Sequence, residues 1–130
     1  MTTLIVEDDF VNRLVLQRRL AEYGETHIAV NGDEAVEAVE RMLETGAAYD
    51  LICLDIMLPG MDGQEALEKI RAAEADKGYR VGEGARIVMT TALGDAENVM
   101  SAFRHQADGY LVKPIEAEKL DQKLKELELI

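Results

Sequence analysis

This sequence is short of cysteine, of basic charge and of long apolar runs. Cys53 is the only cysteine in 130 residues, so no intrachain disulfide can form. It lies within an apolar stretch with nothing beside it to lower its pKa, which marks it as an inert core thiol. No stretch approaches the roughly 18 apolar residues of a membrane span, and Met1-Thr2-Thr3 leads straight into a strand with no signal-peptide pattern. The expected compartment is the cytoplasm. Lys and Arg number 14 against 26 Asp and Glu, a formal charge of −12. That balance argues against direct nucleic-acid binding, which rests on neutralising phosphates with basic side chains. The histidines, His27 and His105, match no ligand or catalytic pairing and read as ordinary surface or edge residues. No linker, low-complexity segment or sequence repeat interrupts the chain.

With 48% apolar and 31% charged residues, the composition is that of a globular domain able to bury its own core. Residues 1–130 read as a single domain, with no output domain after the last helix. The organising stretch is Leu51-Ile-Cys-Leu-Asp55 and its continuation to Gly63. An uninterrupted run from Leu51 to Leu54 predicts a central parallel strand buried on both faces. Pro59-Gly60 and Asp62-Gly63 force turns at once, so Asp55 emerges at the end of the strand.

In chain order, Leu4-Ile5-Val6 is a strand ending in Glu7-Asp8-Asp9, and Leu16, Leu20 and Tyr23 mark a helix closed by Gly24. Thr26 to Val30 reads as a strand, followed at Asn31-Gly32-Asp33 by a helix with Ala35, Val39, Met42 and Leu43 inward, which Gly46 closes. After Gly63 a helix turns Ala66, Leu67 and Ile70 inward and Glu65, Glu68, Lys69 and Arg71 outward. Residues 76–84 hold three glycines and no periodicity and read as the one extended loop. Ala85 to Thr91 is a strand; Ala96, Val99, Met100 and Phe103 sit at helical spacing. Tyr110 to Val112 is a strand ending at Lys113-Pro114, and Leu120, Leu124 and Leu127 line a last helix. Five β-α units predict an α/β fold, a doubly wound five-stranded parallel sheet. Its strand order would be the flavodoxin-like 2-1-3-4-5, with the ligand site where that order reverses.

At such an edge Glu7, Asp8 and Asp55 converge with Thr90-Thr91 and Lys113. Carboxylates so close repel one another, and a bound Mg²⁺ would relieve them, since it prefers oxygen ligands. A cation, a metal and a hydroxyl around one carboxylate are what an incoming phosphoryl group requires. Asp55 would attack phosphorus and carry it as an aspartyl phosphate. Proline after Lys113 would stiffen its loop, with a cis peptide as one means.

Leu4-Ile-Val-Glu-Asp-Asp9, Leu54-Asp-Ile-Met-Leu-Pro-Gly-Met-Asp-Gly63, Met89-Thr-Thr-Ala92 and Tyr110-Leu-Val-Lys-Pro114 together resemble the receiver domain of bacterial two-component response regulators, a CheY-like superfamily. The resemblance runs through essentially the whole chain. It implies Asp55 as phosphoacceptor, with Mg²⁺ held by Glu7, Asp8, Asp55 and the backbone carbonyl of Met57. It implies Thr91, followed by the small Ala92, as the switch hydroxyl, Lys113 as the phosphate-binding lysine and Tyr110 as the aromatic switch. It further implies a sensor histidine kinase or histidine phosphotransfer protein as donor. The surface of the fourth helix, fifth strand and fifth helix would change and dock a downstream protein or a second copy. Met57 and Leu93, two residues beyond Asp55 and Thr91, are apolar and cannot orient a hydrolytic water, which predicts a long-lived phosphorylated form.

Three rivals remain on the residues themselves. A haloacid-dehalogenase-type phosphatase wants a second acid two residues after its nucleophile, where this chain has Met57. A receiver-like interaction module that is never phosphorylated would ordinarily lack a site residue, and none is lacking. A flavodoxin-type nucleotide binder needs a glycine- or hydroxyl-rich first loop, where Glu7-Asp8-Asp9 would repel phosphate.

Overall fold

The computed structural model describes residues 1–92 and 106–130. Strands Thr3–Val6 (β1), Thr26–Ala29 (β2), Leu51–Asp55 (β3), Arg86–Thr91 (β4) and Gly109–Val112 (β5) form one sheet. Its order is β2-β1-β3-β4-β5, and every pairing is parallel. The described helices are Phe10–Leu20 (α1), Gly32–Glu44 (α2), Gly63–Asp76 (α3) and the C-terminal Ala117–Glu126 (α4). The helix expected over Ala96, Val99, Met100 and Phe103 lies outside the described residues, as do Leu93 and His105. Among the described residues no helix is long and apolar enough to cross a membrane.

The apolar runs that predicted the inner strands divide by parity, as successive side chains of a strand must. Leu4, Val6, Ile52, Leu54, Ile87 and Met89 pack beneath Val39 and Leu43 of α2 and Leu67 and Ile70 of α3. Ile5, Leu51, Cys53, Val88 and Leu111 pack on the other face against Leu16 and Leu20 of α1 and Leu120 and Leu124 of α4. Complete burial pushes the Cys53 thiol up to about 12, so it is the inert core residue expected.

Helix starts follow local chemistry. The side chains of Asp9, Asn31 and Asp62 accept from the backbone N–H of Asn12, Glu34 and Glu65 at 2.9, 2.8 and 2.9 Å. Each satisfies a donor that the first helical turn leaves free. The helical stripe of α1 stops at Leu20, and Tyr23 belongs to a short 3₁₀ turn, Ala21–Tyr23. From there its hydroxyl donates to Asp121 Oδ1 of α4 at 2.9 Å, beside the Arg19 guanidinium on the same carboxylate. Arg19 and Tyr23 together hold the Asp121 carboxyl below the usual carboxylate range.

One expected orientation is wrong. Arg71 does not face solvent: its side chain is 16% exposed and every N–H of its guanidinium edge is used. Nη1 donates to Glu74 Oε1 at 2.7 Å and to the Ala85 carbonyl at 2.8 Å. Nη2 reaches the Gln106 carbonyl and Asp108 Oδ2, both at 2.9 Å. The two acids then bind the start of β4, Glu74 through Ala85 N and Asp108 through Ile87 N, each at 2.7 Å. A Cβ at Gly84 would lie 2.2 Å from the Glu74 carboxylate, so any other residue there would displace that carboxylate. The loop read as 76–84 begins one residue later, since Asp76 completes α3. Its tip is closed by Glu83 N donating to the Arg80 carbonyl at 3.0 Å.

Removing the guanidinium strands the buried Glu74 carboxylate and takes from Asp108 its nearer cation, leaving it Arg86 at 3.8 Å. Arg71→Met is therefore expected to cost about 3–5 kcal/mol in urea unfolding. A loss below about 0.5 kcal/mol, the size of an exposed ion pair, would overturn this assignment.

Candidate functional site

A parallel sheet gathers the carboxyl ends of its strands along one edge. β1 stops at Val6, but Glu7 N still donates to the Ala29 carbonyl at 3.1 Å, which continues the ladder by one bond. The Glu7 side chain is thereby carried into the edge and is fully buried. Asp55 is the last residue of β3, opposite Thr90 in register, and is 3% exposed. Asp8, on the turn after Glu7, is exposed. One carboxylate oxygen from each of Glu7, Asp8 and Asp55 lies within 4.8 Å of the others.

Lys113 closes the group from β5. Its backbone N–H donates to the Thr91 carbonyl at 2.7 Å, extending the β4–β5 ladder past Val112. Its Nζ stands 2.9 Å from both Glu7 Oε1 and Asp55 Oδ2. The following Lys113–Pro114 peptide is cis. The remaining Asp55 oxygen, Oδ1, accepts from Met57 N–H at 3.0 Å. Thr91 is buried at the end of β4, its hydroxyl donating to the Ala92 carbonyl at 3.3 Å. Tyr110, opposite Met89 in register, is 41% exposed.

Burial, with the neighbouring Asp55 carboxylate adding to it, pushes the Glu7 carboxyl up to about 7, although Lys113 pulls the other way. Burial works against the Lys113 ammonium, but Asp55 and Glu7 outweigh it and raise its pKa above the ordinary lysine value. Two buried acids thus share one ammonium, with the exposed Asp8 carboxylate beside them. An all-oxygen donor set in that state suits a hard divalent cation such as Mg²⁺. The residues present fit the metal that the sequence called for.

Two features of the site find their physical reason only in the structure. Of the three consecutive acids only two join the cluster, because Asp9 is spent capping α1. Gly63, the first residue of α3, lies directly on the strand end that bears Asp55. Its N–H donates to the Ile56 carbonyl at 2.8 Å, and a Cβ there would fall 2.1 Å from the Asp55 carbonyl oxygen. Asp62-Gly63 reads in sequence as a turn; that the glycine is needed for a backbone contact appears only in three dimensions.

The sequence matches the family described as the response regulator receiver domain over residues 3–125. It is 38% identical over 120 residues to the sensor protein GacS of Pseudomonas syringae pv. syringae, covering 92% of this chain but 12% of GacS. It is 36% identical over 113 residues to the chemotaxis protein CheY of Halobacterium salinarum, covering 87% of this chain and 84% of CheY. Among solved structures, the receiver domain of a Pseudomonas aeruginosa sensor histidine kinase superposes with a TM-score of 0.76 at 29% identity. That match covers 98% of this chain and 97% of the other, which has a magnesium ion coordinated in its active site cleft.

Gly63→Ala is expected to lower stability by about 1–3 kcal/mol or more, since the clash is with backbone and the strand end must move. Urea unfolding measures it. A variant as stable as the parent would mean that the close approach constrains nothing.

Proposed function

The chain belongs to the response regulator receiver family, and we propose that Asp55 accepts a phosphoryl group from a phosphohistidine of a sensor histidine kinase or histidine phosphotransfer protein. Receiver domains are signalling domains of two-component systems, found in kinases as well as in regulators. The observation that carries the reading is the meeting of Lys113 Nζ with both Asp55 and Glu7 at 2.9 Å, from three separate strands.

One Asp55 oxygen attacks phosphorus in line. A P–O bond forms to the carboxylate as the P–N bond breaks, and the imidazole leaves with that electron pair. Lys113 neutralises charge on the phosphoryl oxygens during transfer, and the Met57 N–H holds the second Asp55 oxygen so that the carboxylate keeps its orientation. Glu7, Asp8, Asp55 and the Met57 carbonyl would hold Mg²⁺, as the magnesium in the P. aeruginosa relative suggests. When bound, the ion supplies positive charge to the phosphoryl oxygens. Afterwards the Thr91 hydroxyl turns to the new phosphate, and Tyr110, now 41% exposed, moves inward. The surface of β5 and the C-terminal helix, with the helix expected over Ala96, Val99, Met100 and Phe103 outside the described residues, changes with it, for a downstream protein or a second copy to read.

Incubation with acetyl phosphate and Mg²⁺ is expected to add one phosphoryl mass to the parent chain and none to Asp55→Asn. Equal labelling of the two would overturn the assignment. Met57 is apolar and 68% exposed, so it offers no group to orient a hydrolytic water. The phosphorylated form is expected to persist for minutes or longer after the donor is removed, followed by intact mass. Decay within seconds would contradict it.

A further inference from the structure

The proposed metal pocket depends on a turn that carries two of its three acids, and one side chain reaches across that turn. Arg13, on the first turns of α1, donates from Nη1 to the backbone carbonyl of Glu7 at 3.2 Å. Its guanidinium also lies over the Phe10 ring, 5.5 Å from the centroid. The Glu7 carbonyl belongs to the peptide that joins Glu7 to Asp8. Fixing its oxygen fixes the plane of that peptide, and with it the direction in which the Asp8 side chain leaves the chain. Among the described residues no side-chain hydrogen bond holds the Asp8 carboxylate itself. Its position therefore rests on the backbone, and Arg13 is the side chain that ties that backbone down. Phe10 is 64% exposed, so its ring is placed to brace the guanidinium rather than to fill the core.

From this geometry we infer that Arg13, braced by Phe10, is a positioning residue for the divalent-cation pocket, acting through the Glu7–Asp8 peptide. The inference rests on the reading of Glu7, Asp8 and Asp55 as a Mg²⁺ site. It makes a prediction opposite in sign to simple electrostatics. Deleting a positive charge near three acids should by Coulomb's law favour a divalent cation. Deleting a positioning bond should disfavour it, and outer partners of metal ligands commonly account for tenfold or more in affinity.

The test is Mg²⁺ binding to the 130-residue chain by titration calorimetry, with no phosphodonor present. Arg13→Gln is expected to weaken binding about tenfold. Phe10→Leu, which leaves the guanidinium unbraced and the fold intact, is expected to weaken it roughly two- to fivefold, the scale of an exposed cation–π contact. Asp8→Asn, which removes a proposed ligand, should weaken binding whatever Arg13 does. Unchanged or tighter binding by Arg13→Gln, with Asp8→Asn weakened, overturns the positioning role alone. Unchanged binding by Phe10→Leu does the same should Arg13→Gln fail to fold. No binding by the parent chain, or none lost in Asp8→Asn, overturns the pocket and this inference with it.

Discussion

Mutual repulsion between carboxylates taken out of water is the constraint around which this structure is arranged. Glu7 is fully buried and Asp55 nearly so, with Asp8 beside them. Two anions so placed cannot both remain ionised without help, which is why burial and Asp55 drive the Glu7 carboxyl to about 7. Lys113 supplies part of the help, meeting one oxygen of each acid at 2.9 Å. The negative charge that it leaves uncompensated is what would attract a further cation.

The fold serves that arrangement by holding three strand ends in fixed register. β1, β3 and β5 each pass their last apolar residue into the sheet edge and deliver a charged one just beyond it. The ladder bonds of Glu7 N and Lys113 N continue past those strand ends, so the charged side chains inherit the precision of the sheet. At the opposite end of β4, Arg71 and Arg86 pair with Glu74 and Asp108 in a second charged cluster of two cations and two anions. The contrast is instructive. One cluster balances its charges and fastens elements together; the other leaves an excess of negative charge and faces the edge where ligands bind.

Much of this was legible in the sequence. The runs Leu4–Val6 and Leu51–Leu54 predicted inner strands, since only strands covered on both faces are apolar without alternation. Asn31-Gly32-Asp33 and Gly46 marked where α2 begins and ends. Residues whose partners are distant in the chain were read less well. Arg71 sits at an outward-looking helical position among Glu68, Lys69 and Ala72, so periodicity turned it to solvent; its partners lie up to 37 residues away. Tyr23 fits the α1 stripe by spacing, but it lies in a 3₁₀ turn, and its hydroxyl meets a carboxylate 98 residues on. Arg13 carries no mark at all in the sequence, because a bond to a main-chain carbonyl needs no particular partner residue.

By itself the sequence determined the order of strands and helices, the parallel sheet and the acids and lysine presented at strand ends, because hydrophobic runs and turn residues act over a few neighbouring positions. Only the tertiary structure decided that Asp9 leaves the acidic group to cap a helix, that Lys113 spans Glu7 and Asp55, and that Gly63 must lack a side chain. Those outcomes depend on which atoms from remote parts of the chain come within about 3 Å, the reach of a hydrogen bond. Local patterning sets no such distance; packed backbones do.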